Sequence, residues 1–533
     1  MILTDIYNII YIIYTHACTR GRLALLTAAF ALCGSAQAQS VFSTFKHGNE
    51  YTAEMSGQMS GDGKIAPFWF TANKHGLSTL RSNSGYLRGM LMREAAQDTA
   101  RNWRAGYGLD VAFLLNHRSG AHRTDAVIQQ LYGEVEWKML RLTVGARDFE
   151  QELKNEALSS GGLTHSANAR AVPQVRLEMP KFWAIPGTKG WLSLKGHVAY
   201  GMFTDNAWQN EFHAPGMTYS NNTLFHSKAG FLKIGNTDKF PLTFTGGLEM
   251  YAQFGGEAWN VGRRPDDSSD FTGEYVKMGH GPKAFFNAFI PGGSDPRDGD
   301  YANVEGNQLG SWHLRFDYKG KGWGAAVYAE HFFEDHSQMF LEYGWKDMLY
   351  GVELQLPKNP VVSTVLYEHL RTTDQTGPVY HDATDQIPDQ ISAIDNYYNH
   401  AIYGGWQHWG QGIGSPLLLG PAYNEYDGRS FAHNNIGFWH NRIVSHHFGL
   451  SGSPMQGLDY RVLYTYTTSL GNYTIPLASP RHAHYYMAEA TYRLKPLSAL
   501  SITAAVGGNA GSLLGDNFGA MLTVAYRGAF CKK

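Results

Sequence analysis

Residues Asn396 to Gly414 read NYYNHAIYGGWQHWGQGIG and gather Tyr397, Tyr398, Tyr403, Trp406 and Trp409 with His400 and His408 among glycines. Flat rings beside fixed polar groups suit a sugar, which presents apolar C–H faces and a rim of hydroxyls. Asp395, Asn396, Asn399 and Gln407 supply the polar partners. The glycines let backbone come close to a ligand or to a neighbouring strand. Two other readings compete: the rings form a packed core, or the imidazoles converge on a metal together with His440, His446 and His447. No carboxylate–histidine spacing here follows a metal motif, so neither a metal nor a cofactor is expected.

Asp335, His336, Gln338, Trp345, Lys346 and Asp347 form a second polar-aromatic group, and Asn168, Arg170, Gln174 and Arg176 a third. The arginines can meet uronic-acid carboxylates through charge-assisted bonds, or pair with Glu134 and Glu136 of a neighbouring strand. The loop DPRDGD (Asp295 to Asp300) lacks the alternating carboxylate spacing of a calcium loop. There is no G-x-S-x-G, H-E-x-x-H or P-loop, and no catalytic role is expected. The ligand-binding candidates are therefore Asp395, Asn396, Tyr397, Tyr398, His400, Trp406, Gln407 and Trp409, with Asp335, His336, Trp345, Arg170 and Arg176.

These groups need a scaffold. The chain has 533 residues, 43% of them apolar, and a net charge of -2, which excludes a strongly basic nucleic-acid binder. Arg20 and Arg22 precede an apolar run, Leu23 to Leu32, and then Ala36-Gln37-Ala38, the order of an export signal. Residues 1–38 are expected to be an N-terminal extension and signal peptide, and 39–533 a single barrel domain. Removing 1–38 takes away Cys18 and Cys33, so Cys531 alone remains and no internal disulfide forms.

Beyond Gln39 the dominant pattern is alternation. Leu140, Leu142, Val144 and Ala146 share one face while Arg141, Thr143, Gly145 and Arg147 share the other, as the two-residue period of a strand requires. Trp312, Leu314, Phe316 and Tyr318 likewise oppose His313, Arg315 and Asp317. Short turns, Gly187 to Gly190 and Lys319 to Gly322, alternate with long polar loops, Gly255 to Gly310 and Arg371 to Asp395. Charges on one face and large rings on the other favour a transmembrane β-barrel over a soluble sandwich. Leu522, Val524, Tyr526, Gly528 and Phe530 resemble the aromatic-terminated last strand read by barrel-assembly machinery. In a barrel, Trp406 and Trp409 have a further reading as interfacial girdle residues.

Several segments together resemble the Bacteroidetes branch of the capsule-assembly outer-membrane proteins, the Wzi family. They are APFWFTANKHGLSTL (Ala66 to Leu80), NSGYLRG (Asn83 to Gly89), IPGTKGWLSLKGHVAYGMFTD (Ile185 to Asp205), EDHSQMFLEYGWKDMLYGVELQLPKN (Glu334 to Asn359), DNYYNHAIYGGWQHWGQGIGSPLL (Asp395 to Leu418) and GDNFGAMLTV (Gly515 to Val524). The resemblance implies an all-β, single-chain outer-membrane barrel of about eighteen antiparallel strands. It further implies a small periplasmic helical plug, for which Phe149 to Leu158 is the chief helical candidate here. The implied role is lectin-like: binding capsular or another surface polysaccharide and retaining it at the surface of a Gram-negative cell, with outer-membrane lipid around the barrel and no catalysis. The alternative is an outer-membrane porin or substrate-specific channel, which shares every barrel feature and differs in having an open lumen.

Overall fold

The computed structural model describes residues 49–530 except 62–64, 96–101, 263–272, 292–305, 335–345, 358, 360, 376–378, 382–390, 393–394, 430 and 495–498. The expected extension and signal peptide (1–38) lie outside the described residues, as do Asp335, His336 and Trp345.

The alternating runs become eighteen antiparallel strands. They are β1 (Asn49–Gly61), β2 (Ser84–Arg93), β3 (Trp103–Leu115), β4 (Ala126–Trp137), β5 (Leu140–Ala146), β6 (Gln174–Ala184), β7 (Leu192–Met202), β8 (Leu224–Ile234) and β9 (Leu242–Phe254). The second half comprises β10 (Asn307–Lys319), β11 (Gly324–Glu334), β12 (Met348–Gln355), β13 (Thr364–Arg371), β14 (Ile443–Met455), β15 (Leu458–Gly471), β16 (Pro476–Arg493), β17 (Leu500–Ala510) and β18 (Asn517–Phe530). Each strand pairs with its neighbours in the chain. β18 returns to pair with β1, from Asn49 opposite Phe530 to Gly61 opposite Phe518, so the sheet closes without an edge. This is the transmembrane outer-membrane β-barrel the alternation predicts.

The pleat sets which face each side chain meets. In β5, Leu142 and Val144 are 44% and 38% exposed on the outside, while Thr143 between them is fully buried. In β10, Phe316 and Tyr318 face outward and His313 is buried inside; in β18, Leu522, Tyr526 and Phe530 face outward. An outer wall this apolar is stable against hydrocarbon, where every backbone group is satisfied within the closed sheet.

Connections sort by length. At the end that holds both chain termini, β4 to β5 and β14 to β15 turn within 138–139 and 456–457. The opposite end carries 62–83, 147–173, 203–223, 255–306 and 372–442. The first long loop expected from sequence ends at 306, since Asn307 opens β10, and the second runs on to 442.

Three of the long connections fold back into the lumen as a plug, from about 65–80, 149–172 and 397–441. It carries helix α1 (Phe68–Thr71), while α2 (Asn206–Phe212) and α3 (Pro282–Phe289) sit in the connections 203–223 and 255–306. Wall strands grip the plug from several sides. Gln58 of β1 donates to Thr79 O (3.0 Å), Gln253 of β9 to Gly405 O (3.1 Å) and His447 of β14 to Leu158 O (2.7 Å), and Asn509 of β17 accepts from Phe68 N (2.9 Å). The largest buried cluster is aromatic and lies between plug and wall: Phe68 stacks on Tyr485 of β16 at 4.2 Å, and Tyr397 meets Phe332 of β11 edge-on at 4.8 Å.

Two expectations are corrected here. Phe149 to Leu158 folds as turns, not a helix. Its polar groups are drawn to different parts of the wall: Glu152 accepts from Lys195 (2.7 Å), Lys154 pairs with Glu330, and Asn155 donates to Glu353 (3.1 Å). Asn155 Oδ1 also accepts from Ala157 N and Leu158 N, a local turn that competes with helix. The plug itself enters from the long-loop end, and α1, α2 and α3 all belong to connections at that end, so among the described residues no α-helix lies at the terminal end.

Candidate functional site

Within the plug, Gln407–His408 and Gln411–Gly412 form a miniature hairpin, with Gln407 opposite Gly412 and His408 opposite Gln411. Its two turn residues, Trp409 and Gly410, have φ of +57° and +83°. Positive φ at both central positions is the turn that suits hairpin twist. Glycine adopts it freely; an indole-bearing residue does so at a cost of about 1–2 kcal/mol. The arms are held firmly. Gln407 donates to Asp205 Oδ2 (2.9 Å) and accepts from Gly410 N (2.7 Å). His408 Nδ1–H donates to Arg170 O (3.0 Å), leaving Nε2 to accept from Thr204 N (3.2 Å). That arrangement requires a neutral ring. Burial lowers the His408 pKa, and the nearby Asp205 carboxylate only partly offsets it.

The tip of this hairpin is where separate segments meet. The Arg170 guanidinium lies 4.8 Å from the Trp409 ring centre, and the His122 ring lies 5.4 Å from it. His122 Nδ1 in turn contacts Glu211 Oε2 at 2.9 Å. A narrow cleft extends from Trp409 and Arg170 toward Glu425 and Tyr426. The Glu425 carboxylate is itself held in place: Arg81 donates to Oε1 and Gly120 N to Oε2, both at 3.2 Å, while Tyr426 Oη has no hydrogen-bond partner among the described residues. A half-buried indole, the Arg170 guanidinium, a carboxylate and a phenol thus line a single cleft, and Arg81 braces the carboxylate.

Arg170 also borders a second cleft, lined on its far side by Arg147, Gln174 and Arg176. Arg176 pairs with Glu178 of its own strand (2.8 Å) and lies 4.0 Å over the Phe149 ring. Arg147 pairs with Glu134, and Arg104 with Glu136 (2.9 Å). The anionic partners considered from sequence, Glu134 and Glu136, are therefore taken by other arginines.

The remaining candidates are split. Tyr397, Tyr398 and Trp406 are buried in the plug. Trp406 is fully enclosed, donates Nε1–H to Thr164 O (2.7 Å) and lies parallel to Phe225. Tyr398 Oη donates to Leu163 O and accepts from Ser415 N (2.9 Å). A Cβ at Gly414 would overlap both Tyr398 Oη and Leu163 O, which explains glycine there. Neither Trp406 nor Trp409 lies on the lipid-facing wall, so the girdle reading does not apply to them. Asn396 is half-buried and accepts from Asn441 (2.7 Å) and Asn399 (3.0 Å); His400 accepts from Ile402 N (3.1 Å), and Asp395 is half-buried beside them. The histidines diverge: the pleat of β14 turns His447 into the lumen and His446 outward, while His440 contacts Asp427 Oδ2 (2.9 Å).

Sequence reasoning passed over Arg81, His122, Glu425 and Tyr426. The alternation of acid and ring in AYNEYD (Ala422 to Asp427) was the one local signal for the last two.

Neither a protein-family model nor a curated protein matches this chain. Solved structures with similar folds do exist. One is Escherichia coli Wzi, an outer-membrane protein involved in Group 1 capsule assembly and described as a carbohydrate-binding β-barrel: 14% identity, 92% of this chain and 86% of that chain covered, TM-score 0.50. Others are OccAB4 of Acinetobacter baumannii (10% identity, 91% and 99% covered, TM-score 0.44) and OprD of Pseudomonas aeruginosa (10% identity, 91% and 96% covered, TM-score 0.42). At these identities the likeness is one of fold, that of outer-membrane β-barrels.

Proposed function

We propose that this protein is an outer-membrane anchor for a surface polysaccharide, a capsular or related glycan held at the loop side of a plugged barrel. The observation that carries the reading is the placement of Trp409. Its backbone accepts an unfavourable conformation, and the result is a large ring at a polar cleft instead of in the aromatic core beside Trp406. Strain of this kind persists where the surroundings over-determine it, and it concentrates at ligand sites. An indole beside guanidinium, carboxylate and hydroxyl groups matches the two-sided chemistry of a sugar.

The plug supports an anchor over a channel, because wall side chains hold it from several strands. A known carbohydrate-binding barrel in capsule assembly shares the fold, which agrees with the same reading. No reaction is needed for this role, and the cleft is read as a binding site alone. The test is genetic. Cells lacking the protein should shed their polysaccharide into the medium while its synthesis continues; full retention on such cells overturns the proposal.

A further inference from the structure

Helix α3 lies outside the barrel. Tyr200, His226, Ala252 and Gln308 form one register row across β7, β8, β9 and β10. They share the outward face with Val198, Leu232 and Ile234, all large and exposed. On this row α3 is seated: Tyr200 Oη donates to Phe285 O (3.0 Å), Gln308 Nε2 to Asn287 O (3.4 Å) and the outward Lys228 ammonium to Phe289 O. The Phe285 ring packs edge-on against Phe254 at 5.1 Å. Ala284, Asn287 and Ala288 face the wall and are buried.

The other side of the helix is apolar too. Phe286, Phe289 and Ile290 are 58%, 39% and 52% exposed, next to the exposed Lys283. In water this would be a costly arrangement, since enclosing each such side chain is worth about 1.5–3 kcal/mol. Its height in the wall resolves this. From Ile234 up to His226, eight residues of β8 span about 27 Å along the strand, or about 20 Å along the barrel axis at the usual tilt of about 40°. The apolar band of such a barrel is about 25 Å tall. The helix therefore sits at the outer edge of the band, at the boundary between acyl chains and headgroups.

The geometry points to α3 as an interfacial helix that dips Phe286, Phe289 and Ile290 into the outer leaflet and fastens the connection 255–306 to the membrane surface. Its inner face covers His226 and Lys228, polar groups that would otherwise meet hydrocarbon, and its outer face continues the apolar wall. Lys283 is placed to reach the headgroups, as interfacial cations do. The occupant is lipid, by continuity with the lipid-facing rows below it. This inference rests on the barrel spanning a membrane and is independent of any glycan.

The test uses the full barrel with Cys531 replaced, a fluorophore on Phe286→Cys or Ile290→Cys, and a control label on His433→Cys, an exposed position in a connection at the same long-loop end. Each is reconstituted in phosphatidylethanolamine–phosphatidylglycerol vesicles, with quenching by lipid bearing a nitroxide near the headgroup compared with aqueous iodide. The expected result is strong quenching by the lipid nitroxide at both helix positions, with iodide severalfold less effective there than at the control. Iodide quenching equal to the control, without lipid quenching, overturns the inference. So does shielding from both quenchers with cross-linking between barrels, which would mean that a second copy covers the helix. Folding of each variant is checked by its retained resistance to detergent unfolding on gels; since both side chains are exposed, loss of the barrel in both would also contradict their assignment to the surface.

Discussion

Arg170 and Trp409 come from different plug segments, yet the guanidinium of one lies 4.8 Å from the ring centre of the other, while the Arg170 carbonyl accepts a hydrogen bond from His408, the residue just before that ring. Backbone and side chain of Arg170 thus fix the same hairpin tip. We predict a coupling of about 0.5–1 kcal/mol between the two side chains in a double-mutant cycle of polysaccharide binding built on Arg170→Lys and Trp409→Asn. Lysine keeps the charge without the planar stack. Strictly additive effects would show that the pair does not act together.

The two tryptophans of the hairpin region should separate in experiment. Trp406 is enclosed and hydrogen-bonded, so Trp406→Ala is predicted to weaken plug docking by about 3–5 kcal/mol. Amide hydrogen exchange across 396–414 would report it as faster opening. Unchanged protection would mean that the ring is not part of the plug core.

Glu368 of β13 accepts from Ser159 Oγ and Ser160 N, both at 2.7 Å, and from Tyr328 Oη at 2.6 Å. The wild-type barrel is predicted to show no steady pore in planar bilayers. Glu368→Ala leaves several buried donors without an acceptor, at about 1–3 kcal/mol each, and should introduce transient openings. A large, steady conductance in the wild type would favour the channel reading instead.

Acidification should loosen the hairpin. The folded His408 has a lowered pKa, whereas an undocked imidazole titrates near 6.5. Between those values the undocked state binds more protons, so docking is fully supported above about pH 6.5 and weakens as pH falls below it. Asp347, whose burial raises its carboxyl to about 6, acts in the opposite sense, losing stability as pH rises through that value. The isolating comparison is therefore wild type against His408→Gln: between about pH 7.5 and about pH 5 the wild-type plug should lose more thermal stability than the variant. Parallel losses would exclude His408 as the responsible group.

The barrel was readable from single strands because hydrocarbon and lumen impose opposite demands on adjacent side chains. Leu142 and Val144 had to face out if Thr143 and Arg141 faced in. The plug was less readable. Rings and glycines in 396–414 suit a core, a metal site or a sugar platform equally, and the deciding contacts, Thr164 to Trp406 and Arg170 to Trp409, come from a distant part of the chain. Phe149 to Leu158 has helical composition, but its charged groups find partners on different wall strands, and tertiary pairing overrides local propensity.

The most direct test is a titration of purified barrel with the polysaccharide of its own cell surface, comparing wild type with Trp409→Asn. Asparagine tolerates the left-handed backbone, so the hairpin should keep its shape while the indole is gone. The predicted result is a large loss of affinity with unchanged exchange protection across 396–414. Equal affinity in the two proteins, with the hairpin intact, would contradict the assignment of the cleft.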